Sequence, residues 1–367
     1  MQKLFILSYI GSIHTKRWIS SLAKHGYEIF LFGLNCDDAS YYHQLKNVTV
    51  ENFNIPVSSN RYLDWIYGKI GFMKASRIIR QRIRTFKPDI LHAHYATSYG
   101  LLGANARFHP FILSVWGSDV YQAPHLSSLH KYILKRNLQK ADLILSTSRV
   151  MADETALYTD KAIEITPFGV DMTLFKKQDD EPQRDIFIIG NVKSLKPVYG
   201  IDTLIKSFKL LKERNPEQKL QLEIIGEGPE RKHLEMLAKK LDVDRDVIFR
   251  GEIDNEKLPE YYNRFNVAVF LSQRESFGVS AIEAMACECA VVTSDAPGFQ
   301  EVVIHEETGW IVPKENPEAT ANAIQQCISR PELREKIGKA GRARVKSLFC
   351  WEDNVHTMMN IYNRFKT

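Results

Sequence analysis

Two runs of short apolar segments, rich in β-branched and aromatic residues, alternate with longer segments of helical period along this chain. A strand that leaves through a helix can rejoin its own sheet only by a crossover, so repeated alternation commits each run to a parallel sheet covered by helices. The first run places strands at 3–9, 28–34, 48–53, 89–94, 111–116, 142–147 and 162–167; the second places them at 186–190, 219–226, 246–251, 267–272, 289–294 and 310–313. Between the runs lies GVDMTLFKKQDDEPQRD (169–185), polar and without a clear period, which reads as a linker and hinge. The expected architecture is therefore α/β with two doubly wound domains facing a cleft: a domain at 1–168, the linker at 169–185, a second domain at 186–350, and a final helix at 351–367 returning toward the first. In such sheets ligands bind outside the carboxyl ends of the strands.

Composition narrows the class further. With 367 residues, 44% apolar and 25% charged, the chain has the balance of a soluble globular protein and exceeds the size of a disulfide-stapled scaffold. Its five cysteines form no C-x-x-C pair, which points away from zinc and disulfides and toward a reducing compartment. The start MQKLFILSYIGSIHTKRW is too briefly apolar to span a membrane and lacks a small-residue cleavage site, so it reads as a first strand of a cytoplasmic protein. Net charge is +5, split unevenly: +9 over 1–178 and −4 over 179–367.

The most informative stretch is RESFGVSAIEAMA (274–286), where a strand runs through a polar glycine turn into a helix. Backbone N–H groups at such a helix start favour anions. Glu275 and Glu283, eight positions apart, suit hydroxyls at two ends of an extended ligand. This spacing, continued by EAMACECAVVTSDAPGFQEVV and ETGWIVP, resembles the donor-binding motif of glycosyltransferase family 4, the retaining group 1 enzymes of GT-B fold. The likeness extends over nearly the whole chain, through HTKRW, LAKHGYEI, PDILHAHYATSYG, TPFGVD, GEGPER and VIFRGEI.

The resemblance implies that Glu283 holds the ribose of a nucleotide sugar, that Glu275 meets the transferred sugar, and that Ser276 and the amides of Phe277, Gly278 and Val279 meet sugar or diphosphate oxygens. A plain helix-start role for Glu283 is the alternative. Negative charge grows on the departing diphosphate, and Lys193 and Lys196 are placed to meet it. Members of the family usually carry an Arg and a Lys before a Gly here; this chain has Asn191 or Val192 at the Arg position and Tyr199 before Gly200. Gly226, in a G-E-G-P turn, is expected to let backbone approach the ligand, with Arg250 near the base. Lysine and helix termini serve the phosphates, so no metal or other cofactor is expected.

In the first domain Gly11 is expected to open the loop after the first strand to diphosphate and acceptor. His92 and His94 are read as facing opposite sides of their strand, with His94 nearer the cleft. Trp116 stands where the family carries the His of a His-Gly-x-Asp motif and offers an indole for a sugar face; Asp119 either meets a substrate hydroxyl or caps its own loop. Segment 69–87 has seven basic and no acidic residues, suiting either an ordinary packed helix or one that also touches an anionic membrane surface. Nucleic acid is not an expected partner. Together these features imply a glycosyltransferase moving a hexose or N-acetylhexosamine from a UDP- or GDP-sugar to a glycan or lipid-linked acceptor, in cell-surface polysaccharide or glycoconjugate synthesis. A nucleotide-sugar epimerase of the same fold and a catalytically impaired binding subunit are the alternatives.

Overall fold

The computed structural model describes residues 1–36, 38–55, 61–178 and 185–366, with backbone alone over 61–69; most of the expected linker is described, and 179–184 lies outside. It resolves into two compact units, one of residues 1–166 with 355–367 and one of residues 167–354.

The first unit contains seven parallel strands, β1 (Lys3–Leu7), β2 (Glu28–Leu34), β3 (Val48–Phe53), β4 (Ile90–His94), β5 (Phe111–Val115), β6 (Leu143–Ser146) and β7 (Ile163–Ile165). Their order is β3-β2-β1-β4-β5-β6-β7. The chain starts in the middle, winds outward one way, and returns to β1's other side at β4, so the connections reverse between β1 and β4. Runs such as LFIL (4–7) and FIL (111–113) are continuously apolar because both faces of the sheet are covered. The last helix, Trp351–Asn363, contributes Tyr362 to this unit, where the Tyr362 carbonyl accepts from the Gln2 side chain.

The second unit repeats the winding with six parallel strands: β8 (Phe187–Val192), β9 (Leu220–Ile225), β10 (Val247–Gly251), β11 (Val267–Phe270), β12 (Ala290–Ser294) and β13 (Trp310–Val312). The order β10-β9-β8-β11-β12-β13 puts the reversal between β8 and β11, held in register by Val267↔Ile189 and Ala268↔Gly190. Loops leaving the two strands at this reversal diverge, which opens a crevice at their carboxyl ends. Phe208, Leu222, Val269 and Ile324 belong to the core beneath that crevice and hold the strand ends in place. Among the described residues no helix is long and apolar enough to cross a membrane.

Candidate functional site

At the β8–β11 reversal the first residue beyond β8 is Lys193, and five residues beyond β11 comes Glu275. Their side chains meet: Lys193 Nζ lies 2.8 Å from Glu275 Oε2, with only 14% and 10% of the two side chains exposed. The same carboxylate oxygen accepts from Ser272 Oγ at 3.0 Å, and the ammonium sits 4.9 Å from the Tyr199 ring centroid. Burial alone would lower the Lys193 ammonium's pKa, but pairing with Glu275 outweighs it and holds the group above its usual range. The site thus keeps a desolvated cation charged. Lys196 is exposed at the start of the turn Pro197–Tyr199 and takes no part in that pair. Asn191 belongs to β8, where its side chain donates to the Val269 carbonyl and ties β8 to β11.

Beyond Glu275 the chain passes through Ser276, half-buried, to Phe277, whose ring is buried edge-on against Phe349. Gly278 adopts φ +100° and starts the helix Val279–Ala286. Ala281, Ile282, Ala284, Met285 and Ala286 of this helix are wholly buried, which fixes its axis. Glu283 is buried one turn in; its two carboxylate oxygens accept from Asn255 Nδ2 at 3.2 Å and from Tyr262 OH at 3.4 Å. Asn255 and Tyr262 carry no motif, and proximity alone identifies them. Gly298 was also invisible in sequence beyond its Pro-Gly pair: a Cβ there would sit 2.5 Å from the Glu275 carbonyl oxygen and 2.7 Å from the Phe277 nitrogen. Its bare backbone lets the turn before the helix seat against 275–277, and its amide donates to that same carbonyl.

At Gly226 the side where a Cβ would stand is filled by the chain itself, since a Cβ there would meet the Lys193 carbonyl oxygen at 2.2 Å. The Gly226–Gly228 turn is docked on the backbone that carries Lys193, with Leu195 N–H donating to the Glu227 carbonyl. Arg250 engages Glu223, a wholly buried carboxylate that also receives Arg264; its side chain braces β9 and β10.

In the first unit, Gly11 is exposed and its loop is approached by the Tyr9 ring, which a Cβ would meet at 3.0 Å. The two histidines of β4 share one face, contrary to expectation, because side chains two residues apart on a strand point the same way. Their ring centroids are 4.5 Å apart. His92 lies between Tyr362 OH and Ser114 Oγ, each at 2.7 Å, and His94 Nδ1 is 3.1 Å from Ser8 Oγ. Burial pushes His92 down to about 3 and His94 well below its ordinary value, so both are neutral. The Trp116 indole stacks on His94 at 4.6 Å, so one of its faces is already covered. Asp119 is wholly buried, and its carboxylate accepts from the amides of Ala96, Gly117 and Trp116. These contacts make it the cap of its own loop and leave it no exposed surface for a substrate hydroxyl. Burial raises its pKa, and the three amides oppose that rise. In segment 69–87, Ile79 and Ile83 are buried, Arg82 grips Glu51, and Arg77 and Arg84 are exposed; the Lys69 side chain lies outside the described residues.

Comparison with known proteins agrees with this layout. The family profile "Glycosyl transferases group 1" matches residues 173–344, and "Glycosyl transferase 4-like" matches residues 3–148. An uncharacterised glycosyltransferase of Methanocaldococcus jannaschii is 26% identical, over 96% of this chain and 93% of that protein. N-acetyl-alpha-D-glucosaminyl L-malate synthase of Bacillus anthracis is 26% identical, over 93% and 90%. Sucrose-phosphate synthase of Thermosynechococcus elongatus superposes with a TM-score of 0.82, covering 99% of each chain at 24% identity. With both halves matched in order and each folded as a doubly wound sheet, the chain belongs to the group 1 glycosyltransferases of family 4 type and has the GT-B fold.

Proposed function

We propose that this glycosyltransferase is a retaining enzyme that takes a hexose or N-acetylhexosamine from a UDP- or GDP-sugar and places it on a hydroxyl of a glycan or lipid-linked acceptor. The observation that carries this reading is the buried Lys193–Glu275 pair at the chain reversal of the second sheet. The two charges satisfy each other. An arriving diphosphate competes for the Lys193 ammonium, and Glu275 is then free to accept from sugar hydroxyls. As the glycosidic bond breaks, charge builds on the diphosphate, where a desolvated lysine and the amides at the start of Val279–Ala286 stabilise it. Glu283, held by Asn255 and Tyr262, is the ribose acceptor. These groups supply the positive charge that a divalent metal would otherwise provide, so donor binding is proposed to be metal-independent. A glucosaminyl relative fits the N-acetylhexosamine half of the proposal.

The test is thermal stabilisation by UDP, GDP, ADP and their sugars, each with EDTA and with magnesium. One nucleotide family raising the melting point in EDTA, and the shift disappearing in Glu283→Ala, is the expected result. Equal stabilisation of Glu283→Ala removes the ribose assignment. Product analysis with an α-linked donor, giving an α-linked product, tests retention.

A further inference from the structure

The helix Ser128–Lys140 in the first unit presents an unusual surface. Its buried side is Leu134, Asn137 and Leu138. Opposite, at roughly 100° per residue, Leu129, Tyr132, Arg136 and Lys140 fall within an arc of about 80°. The upstream end of this stripe is apolar and bare, with Leu129 56% exposed and Tyr132 64%, and Leu126, which ends the short preceding helix Ala123–Leu126, is 70% exposed. The downstream end is basic. Arg136 and Lys140 line, with Arg107, a pocket of about 300 Å³. His109 also lines it and pairs with Asp142 at 2.7 Å, while Arg136 donates to the amide oxygens of Asn105 and Asn137. From 120 to 141 the sequence has four Lys or Arg and no Asp or Glu.

Three large apolar side chains in water at a helix start are unfavourable unless something covers them. The same helix supplies positive charge about 16 Å farther along, at 1.5 Å per residue. Apolar insertion residues with flanking cations on one helical face match the boundary of an anionic bilayer, where acyl chains lie beside phosphates. We propose that this face docks on an anionic phospholipid surface, with Leu126, Leu129 and Tyr132 entering the headgroup–acyl boundary and Arg107, Arg136 and Lys140 taking lipid phosphates. The basic helix Arg61–Phe86 is not required. The docking does not depend on the donor chemistry proposed above.

Co-sedimentation of the full chain with vesicles tests it. The vesicles are equal parts phosphatidylglycerol and phosphatidylcholine, compared with phosphatidylcholine alone. Binding is expected to the anionic vesicles and to weaken with salt. L129S/Y132S and, separately, K140E should each lower the partition coefficient by roughly five-fold or more, and R77E/R84E by less than two-fold. Unchanged melting temperatures show that the variants fold, and because K140E lies at an exposed position it remains informative if the double variant does not. Retained binding in both stripe variants, loss confined to R77E/R84E, equal binding to neutral vesicles, or no binding overturns the proposal. So does stabilisation by inorganic phosphate that K140E abolishes, if vesicles are not bound.

Discussion

Removing the charge of Lys193 while keeping its stem, as Lys193→Met, strands the Glu275 carboxylate at 10% exposure, with Ser272 still donating to it. Breaking a buried pair from one side costs about 3–5 kcal/mol, because the remaining charge stays desolvated. For a unit of this size each kcal/mol lowers the melting temperature by about 2–4 °C, so the variant should melt on the order of 6–20 °C lower. The double variant K193M/E275Q leaves no unpaired charge at these two positions and should recover much of that loss. Calorimetry on wild type, both single variants and the double variant yields the coupling between the side chains. A coupling below about 0.5 kcal/mol refutes the argument, since independent sites add within that margin. The double variant should nevertheless have lost donor-dependent stabilisation, which separates the pair's functional role from its stability. The pH sign is also fixed. The lysine's pKa is raised on folding, so its contribution is fully present below the ordinary value of 10.5 and is lost as pH rises through the higher folded value.

Acid should act on the first unit through its histidines. His92 is lowered from 6.5 to about 3, so its contribution is complete above pH 6.5 and fades below it, by about 2 kcal/mol at pH 5; denaturant titrations should show this slope, flattened in His92→Gln. Asp119→Ala leaves the amides of Ala96, Gly117 and Trp116 without their carboxylate and should cost about 1–3 kcal/mol by chemical denaturation, with Asp119→Asn recovering part because one oxygen remains. Equal loss in both Asp119 variants would argue against the cap. Gly298→Ala forces the 275–277 backbone to move and should weaken donor binding by at least about ten-fold, or 1.4 kcal/mol, by titration calorimetry; unchanged affinity would show that the turn tolerates the displacement.

Much of the frame was legible because apolar runs and helical periods are local. KLFIL, FIIGNV and VAVF declare buried parallel strands whatever lies around them. Glu275 and Glu283 stood out for a related reason, since a turn and one helical turn relate them within a single segment. What sequence could not resolve is where backbone meets backbone. A G-x-G turn looks alike whether a diphosphate or the chain itself occupies the space, and only the 2.2 Å approach to the Lys193 carbonyl identifies the occupant at Gly226. Asp119 poses the same ambiguity, because a carboxylate three residues past Trp116 fits both substrate and cap until the Ala96 amide, 23 positions earlier, arrives beside it. The histidines of β4 differ from these cases. Strand geometry alone puts residues 92 and 94 on one face, and long-range folding then brings Tyr362, 270 positions away, beside His92, which burial keeps neutral. The second unit shows how the two kinds of information combine. Local pattern presents a lysine after β8 and a glutamate after β11, and the reversal in strand order makes those loops neighbours. Gly226 then seats on the backbone that carries Lys193 and Gly298 on the backbone that carries Glu275, the two residues whose side chains meet at 2.8 Å.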